Sequence, residues 1–568
     1  MGVIIFHSCH YIGTFNMHLP NLKILDLHLS KNLKRTPDFK GLPCLERLNL
    51  MGCKRLKEIH PSIGNHERLV YVNMRWCVKL KTFPPIYRMQ KLETLNLSCC
   101  FRLWKFPEFK TNMDSLKELD LSFTAIEIVP SSVGEYCTNL VSLNLTDCHK
   151  LKRIECNFHL FKHLKECHLA GCKQLEKLAD NFFDVECCLE VLSLSTDVKS
   201  SLINRIAIRS GLSFLYQSPV SIKFPLFPRF LKKLRLEGSN LGDGDIPSDV
   251  VELSCLQVLD LSWNDFSQLP SNLSQLPSLK FLDVSFCKNL VELPDLPSSI
   301  AILQANYCDS LESLGDLSNY KWLWKVSCRW KKRVDGERVL HSMLQGNAVE
   351  NHFMSLSCGS TSSDIMPHQP TFTLQLPHNW YNDFTGFLCT DRNTWGQCLI
   401  VIKQEETCLD VQRDHWPEFD KNPDSDEYST VGYVSFGSLR HTSWWNPAYN
   451  KLSFELELGN KKFNLKVGLV PRKCNGDSNE RAKGALDSSE FWDEEQEGDK
   501  KTFKIVHDSK SSIMIQWCHH WLFGELDNRP REDQVKPIGI AFGPAYQQMW
   551  KESAKSANPT CLDPDNSH

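Results

Sequence analysis

No stretch of this sequence approaches the roughly 20 consecutive apolar residues that a membrane-spanning helix needs. The opening run, MGVIIFHSCHYIGTF, has no basic residues ahead of its apolar core and is broken by His7 and His10, so it makes a poor secretory signal. Gly2 lacks the Ser or Thr that N-myristoylation wants at position 6, where Phe6 stands. There is no G-x-x-x-x-G-K-S/T loop to cradle a nucleotide phosphate, no nucleophile elbow, no zinc-binding helix and no paired-carboxylate motif. The 24 cysteines include no Cys-x-x-Cys pair, which excludes the common zinc frameworks. Cys518 beside His519 and His520 lacks a partner at regular spacing and reads as a packed or solvated group. The expectation is therefore no catalytic residue, no metal, no cofactor and no membrane span, in a protein of the cytoplasm or nucleus.

Net charge is only −3, which gives no global pull toward nucleic acid, but the charge is unevenly spread. Residues 1–180 carry 26 basic and 17 acidic side chains, and the remainder is net −12. One reading is a first part that faces an acidic partner or the chain's own acidic half; the other is uneven solvated faces. At 568 residues the chain exceeds a single hydrophobic core, so two or three domains are expected.

What is present in abundance is a period. The pattern Leu-x-x-Leu-x-Leu begins at Leu22, Leu45, Leu69, Leu92, Leu116, Leu140, Leu164, Leu189, Leu231, Leu256, Leu279 and Ile300. Gaps are mostly about 23–25 residues, inside the range of leucine-rich repeats. The long gap from Leu189 to Leu231 holds either a degenerate repeat or an insertion. Alternate residues of a strand face opposite ways, so the leucines turn inward. One repeat cannot bury them, and stacking neighbours must line up a parallel sheet with a concave wall.

Eight residues after the first leucine stand Cys53, Cys77, Cys100, Cys148, Cys172, Cys287 and Cys308; other repeats use Ser30, Thr124, Ser239 and Asn264. A small residue there turns the chain and hydrogen-bonds backbone at the strand end. The cysteines are expected to stack as a buried ladder of free thiols rather than as disulfides or metal ligands. Sequons at Asn96 and Asn144 fall inside strands, where a glycan would cover the concave face, which speaks against secretion.

The non-leucine strand positions supply the candidate protein-binding residues: Arg75, Trp76, Phe123, His168, Arg235, Trp263, Phe286 and Tyr307. Exposed aromatics and arginine dominate interface hot spots. Trp76, Phe123, Trp263, Phe286 and Tyr307 share one register, seven after the first leucine; they either face a partner or pack against the next turn. The Asp and Asn residues that recur four after the first leucine read as scaffold.

The segments GCKRLKEIHPSIGNHERL, LKELDLSFTAIEIVPSSVG and LEGSNLGDGDIPSDVVELSCLQVLDLSWNDFSQLPSNLSQLPSLKFLDVSFCKNLVELPDLPSSI resemble the leucine-rich repeats of plant intracellular immune receptors, of the type with a Toll/interleukin-1-receptor-like domain and a nucleotide-binding module (TIR-NB-LRR). The resemblance covers about residues 19–315. It continues in SMLQG at 342–346, LQLPHNWYNDFTGFLC at 374–389 and NLKVGLVPRK at 464–473, which look like the jelly-roll or immunoglobulin-like domain that follows the repeats in these receptors. The Trp-Phe that the family carries ahead of LPxNW is missing. So is any phosphate loop or signalling domain.

From 346 onward, runs such as TFTLQL, YVSFGSL, KLSFELEL and FNLKVGLV alternate as strands. Trp444 and Trp445 cannot both point inward along one strand, so one of them is a further candidate contact. Trp322, Trp324 and Trp330 with Lys331, Lys332 and Arg333 form a basic aromatic patch, read as a junction helix on the last repeat in preference to a nucleic-acid contact.

The expected fold is an α/β leucine-rich-repeat solenoid, a parallel-sheet horseshoe, followed by an all-β jelly-roll or Ig-like sandwich. Its expected parts are a degenerate N-terminal leader or cap at 1–18; about twelve repeats over 19–315, irregular at 195–230; a linker at 316–345; the β domain at 346–550 with an acidic loop at 474–501; and a disordered tail at 551–568. What the resemblance implies is an effector-sensing and autoinhibitory region whose partners are a pathogen effector or guarded host protein and a nucleotide-binding module, with no nucleic acid. A substrate adaptor of a ubiquitin ligase is the alternative, but it needs an F-box of some 40 residues where about 20 precede Leu22. A cell-surface ectodomain lacks its signal and span.

Overall fold

The computed structural model describes residues 2–5, 18–175, 188–195, 227–246, 248–320, 323, 325–328, 336–345, 353–359, 371–376, 380–392, 399–404, 407–412, 428–436, 446–458, 461–463, 465–471 and 512–516. The chain divides into two compact units, one over Met1–Cys287 and one over Lys288–Pro559.

In the first unit a sheet runs through β1 (Val3–Ile5), β2 (Ile24–Asp26), β3 (Arg47–Asn49), β4 (Tyr71–Asn73), β5 (Thr94–Asn96) and β6 (Glu118–Asp120). Past a short outer strand, β7 (Ile128–Val129), it continues with β8 (Ser142–Asn144). Past a second outer strand, β9 (Arg153–Ile154), come β10 (Glu166–Ala170), β11 (Val191–Ser195), β12 (Lys233–Arg235), β13 (Val258–Asp260) and β14 (Phe281–Asp283). Every neighbouring pair in this sheet is parallel. The register is uniform: Leu25, Leu48, Val72, Leu95, Leu119, Leu143, Cys167, Leu192, Leu234, Leu259 and Leu282 stand in file and are all buried. Each such leucine contributes roughly 1.5–3 kcal/mol by leaving water, and only a stacked neighbour can supply the cover.

Strand β11 pairs directly with β12, Leu192 opposite Leu234, so no strand stands between them in the sheet. At the other end, Val3 stands opposite Ile24, so the opening residues add a strand in repeat register. On the outer side the chain makes short helical turns, at Phe39–Gly41, Pro61–Asn65, Phe158–Leu160 and Ser271–Gln275, and one α-helical turn, α1 (Ser132–Tyr136). Neighbouring turns press closely: a Cβ on Gly64 would lie 1.9 Å from the carbonyl oxygen of Pro85.

The second unit begins with parallel strands β15 (Ile302–Gln304), β16 (Lys325–Cys328) and, after helix α2 (Gly336–Gln345), β17 (Phe353–Gly359). There follow β18 (Thr371–Gln375), helix α3 (Trp380–Asp383), β19 (Phe384–Arg392), β20 (Leu399–Gln404), β21 (Thr407–Gln412) and β22 (Tyr428–Ser435). The last described strands are β23 (Lys451–Leu458), β24 (Lys461–Phe463), β25 (Leu465–Pro471) and β26 (Ser512–Gln516). Antiparallel pairing joins β17 to β22, β22 to β19 and β19 to β25. A second sheet has the order β18-β23-β20-β21-β26, with β24 beside β23. Trp380 is buried edge-on against Phe436 at 4.7 Å, and its indole N–H donates to the Tyr449 carbonyl at 3.2 Å.

Among the described residues no helix is long and apolar enough to cross a membrane, and no group of three or more His, Cys, Asp or Glu is placed to hold a metal. Trp322, Trp324, Trp330, Lys331, Lys332, Arg333, Cys518, His519, His520, the acidic stretch 474–501 and the tail 551–568 lie outside the described residues.

Candidate protein-binding face

The face is built by a turn that recurs at most strand ends. Four residues after the first leucine, Asp26, Asn49, Asn73, Asn96, Asp120, Asn144, Asp260 and Asp283 each accept a hydrogen bond from the backbone N–H two residues on, at 2.8–3.2 Å. This is the Asx turn that short polar side chains favour. Past this turn the residue at register seven takes a left-handed backbone, and it does so as well where His168, Arg235 or Gln304 stands at register four. Leu29, Gly52, Trp76, Cys99, Phe123, Asp147, Gly171, Gly238, Trp263 and Phe286 all do so, as does Tyr307 in the second unit, with φ between 56° and 77°. The bend aims the N–H of this residue at the neighbouring repeat: Trp76 donates to the Ser98 carbonyl at 2.9 Å, Phe123 to Thr146 at 2.7 Å and Trp263 to Ser285 at 2.8 Å.

Glycine takes this backbone freely, whereas any residue with a Cβ gives up roughly 1–2 kcal/mol. The signal was unreadable one residue at a time, because so many residue types occupy the position. Within the first unit the aromatic ones are only partly covered. Trp76 is 39% exposed and meets Phe101 edge-on at 5.6 Å. Trp263 lies flat on Phe286, ring centres 4.0 Å apart and planes 11° apart. Phe123 is half-buried, and so is Tyr307 in the second unit. Phe101, two residues past the Trp76 register in the next repeat, is a participant that sequence reading missed.

The candidates at register four and six fall into two groups. Arg75 and His168 both act on Asp120: burial pushes that carboxyl up, against hydrogen bonds from Ser122 and the positive charges of Arg75 and His168. Arg75 Nε is buried with no hydrogen-bond partner, and His168 Nε2 lies 3.7 Å from Glu166. Further along, Arg235, Asp260 and Asp283 stand side by side on β12, β13 and β14. Burial, reinforced by the charge of Asp260, lifts Asp283 to about 7. Trp444 and Trp445 lie outside the described residues.

Beneath the turn runs the thiol ladder. Cys53, Cys77, Cys100, Cys148, Cys172 and Cys287 are free and buried, and each donates from Sγ to the carbonyl of the strand residue in the preceding repeat, at 3.2–3.3 Å. Cys308 is also free and buried, with its Sγ 3.7 Å from the Asn306 carbonyl. Asn264 does more at the same register, donating to Leu236 at 2.9 Å and Leu261 at 2.7 Å and accepting from the Leu241 N–H at 3.0 Å. Burial pushes the Cys53 thiol up to about 11 and those of Cys100 and Cys148 to about 12, so these thiols stay protonated and unreactive at neutral pH. Cys255, just ahead of the tenth leucine and off the ladder, is disulfide-bonded.

Beyond the ladder, cations flank the next buried leucine. Lys34, Lys57 and Lys81 occupy register twelve and Arg55, Lys79 and Arg102 register ten, all exposed, around buried Leu33, Leu56, Leu80 and Leu103. The Lys57 N–H donates to the Lys34 carbonyl at 2.9 Å, so the row is held at the spacing of neighbouring repeats. Among the described residues none of these six cations has an ion-pair partner; Arg55 bonds only neutral Asn32, at 3.0 Å.

Residues 88–193 match the family model described as disease resistance protein RPS4B-like leucine-rich repeats, and 255–276 match the general leucine-rich repeat. The chain is 31% identical over 417 residues to TMV resistance protein N of Nicotiana glutinosa, which covers 68% of this chain and 36% of that protein. This is a leucine-rich-repeat region of the plant disease-resistance family. Two further members, both from Arabidopsis thaliana, align with it. Disease resistance-like protein DSC1 is 35% identical over 301 residues, covering 52% of this chain and 24% of its own. Disease resistance protein RPS4B is 26% identical over 303 residues, covering 52% and 21%. The chain thus spans about a third or less of the length of these disease-resistance relatives.

Proposed function

We propose that this chain is the effector-sensing and autoinhibitory protein-binding region of a plant immune receptor of the TIR-NB-LRR type, not itself an enzyme. The observation that carries the reading is the register-seven row. Trp76, Phe123, Trp263, Phe286 and Tyr307 are held at the strand-end turn and only partly covered, at a register where other repeats use glycine, leucine, cysteine or aspartate. Large aromatics at a strand-end rim, with Arg75, His168 and Arg235 beside them, have the composition of an interface centre. The partner is a pathogen effector or a guarded host protein, and Trp444 or Trp445 is a further contact on the C-terminal β region.

The cation rows of the early repeats serve the autoinhibitory contact. Six unpaired positive charges at repeat spacing repel one another, and an acidic face of a nucleotide-binding module, in the same protein or another, relieves that repulsion. The domain partition that goes with this reading is repeats over 19–315, a junction over 316–345 and a jelly-roll or Ig-like sandwich over 346–550. The array of two sheets and the buried Trp380–Phe436 contact support the sandwich.

The test is direct binding of the purified chain to pathogen effectors. Affinity for one effector that drops at least tenfold in Trp263→Ala and Phe286→Ala supports the reading; binding to ubiquitin-ligase subunits instead sinks it. For the second contact, Lys54→Glu with Arg55→Glu and Lys57→Glu is expected to weaken association with the nucleotide-binding module. Unchanged association removes that part.

A further inference from the structure

Strand β17 has two different neighbours, and they belong to two different kinds of sheet. On one edge it runs parallel to β16, with Val326 opposite Leu356 and Cys328 opposite Cys358. On the other it runs antiparallel to β22, with Leu356 opposite Val431 and Phe353 opposite Val434. Parallel pairing with a tight register is how repeat strands stack; antiparallel pairing is how the C-terminal β region is built.

The sequence around these strands carries the repeat's inward spacing in disguise. Leu323-x-x-Val326-x-Cys328 and Phe353-x-x-Leu356-x-Cys358 keep an apolar residue at the first, fourth and sixth places, with cysteine where leucine normally closes the pattern. Leu303, Val326 and Leu356 stand in file across β15, β16 and β17, and all three are buried. The connection from β16 to β17 supplies an outer element as well. Helix α2 buries Val339, Leu340 and Met343, and Ser342 Oγ accepts from the Leu317 N–H at 2.8 Å and donates to Asp316 at 2.9 Å.

A stack of parallel strands ends in an open edge: a row of unpaired N–H and C=O groups above a strip of leucines without a neighbour. Solenoids close this end with a capping element. We infer that in the second unit the C-terminal β region is that cap, and that β17 serves at once as the last strand of the repeat sheet and as a founding strand of the antiparallel one. The junction is then a shared strand rather than a tether, and a force or contact on β22 or β19 is felt at β16. This gives the β region a task in the fold that stands whatever protein its surface binds, and it does not rest on the immune-sensing reading.

Native-state hydrogen exchange of the full chain, read by mass spectrometry across a denaturant series below the unfolding transition, tests this. The shared strand predicts that amides of β16, β17 and β22 open with one common denaturant dependence. Separate dependences, with β16 opening while β17 and β22 stay closed, overturn it. Val326→Ala, a mild change on the repeat side, sharpens the result. Protection at β22, about a hundred residues away in sequence, is expected to fall on the order of tenfold along with that of β16. A loss confined to β15 and β16 contradicts the inference. The wild-type series stands on its own if the variant folds poorly.

Discussion

Two residues after the first leucine, the early repeats present Arg47, Tyr71, Thr94 and Glu118, exposed or half-exposed, whereas the late repeats of the same unit present Val258 and Phe281, 1% and 2% exposed. The register-four rows differ in the same direction. Early on, Asn and Asp sit side by side, and neighbours bond: Asn49 donates to Asp26 at 3.0 Å and Asn96 to Asp120 at 3.3 Å. Late, Asp260 stands beside Asp283, and two carboxyls in one place cannot both hold a charge cheaply. The rows of unpaired lysine and arginine belong to the early repeats alone among those described in the first unit. One backbone solution thus carries two surfaces, an open cationic one and a more covered one with a stacked aromatic pair. The leucines and the turn make the fold; the residues between them are free to differ.

The largest expected difference between the two regions lies in the ladder. Asn264→Ala removes four hydrogen bonds and leaves the Leu241 N–H buried without an acceptor, while the Leu236 and Leu261 carbonyls keep only the Ser239 N–H and the Cys287 thiol, a loss of about 3 kcal/mol. Cys148→Ala in the early repeats removes two weak thiol contacts, with the Leu121 carbonyl and the Thr124 hydroxyl, and a small apolar volume, about 1 kcal/mol. Denaturant midpoints of the two variants measure the gap; equal losses break the comparison. Next comes the left-handed turn. Gly171 has φ 77°, and a Cβ there would lie 2.3 Å from Asp147 Oδ1, so Gly171→Ala is expected to destabilise by about 2 kcal/mol in the same assay.

The acid rows predict opposite responses to pH. Asp283 is held above the ordinary carboxyl value, so its native form keeps a proton that the unfolded chain has lost. Its contribution is full at low pH and disappears as pH rises through about 7. Asp26 is shifted the other way. Burial raises it, but hydrogen bonds from the His28 N–H, the His28 ring and Asn49 outweigh that and leave it low. Its contribution is present at neutral pH and is lost as pH falls through its lowered value. Relative to wild type, Asp283→Asn is therefore expected to gain stability as pH rises from the ordinary carboxyl value of 3.8 to about 7, and Asp26→Asn to lose its disadvantage toward acid. Melts across pH that show the same slope for both variants would remove the distinction. The smallest effect is expected at the cation rows: Lys57→Glu relieves repulsion and raises stability by a few tenths of a kcal/mol at low ionic strength, an effect that salt erases.

Much of this was legible in the residues. The spacing of about 23–25 residues, with strand alternation inside it, specifies a stacked parallel sheet, and the ladder position of Cys53, Cys77, Cys100, Cys148 and Cys172 follows from the same count. Three things were hidden for physical reasons. The strands at Lys325–Cys328 and Phe353–Gly359 end their pattern in cysteine instead of leucine, so a leucine template passes over them. The left-handed backbone at register seven shows as glycine only at Gly52, Gly171 and Gly238, and the Asx turn three residues earlier goes with it at Gly52 but not at Gly171 or Gly238, where His168 and Arg235 stand. The state of Asp283 depends on which acid a neighbouring repeat places beside it, and spacing within one repeat does not reveal that.

The most direct test of the account is site-specific photo-crosslinking in leaf tissue, with a reactive amino acid placed in turn at Trp76, Trp263 and Phe286 on the rim and at Tyr87 and Leu160 on the outer turns. The account predicts covalent adducts with a defined partner protein from the rim positions and none from the outer ones. Adducts formed only at Tyr87 or Leu160, with the rim silent, would contradict it.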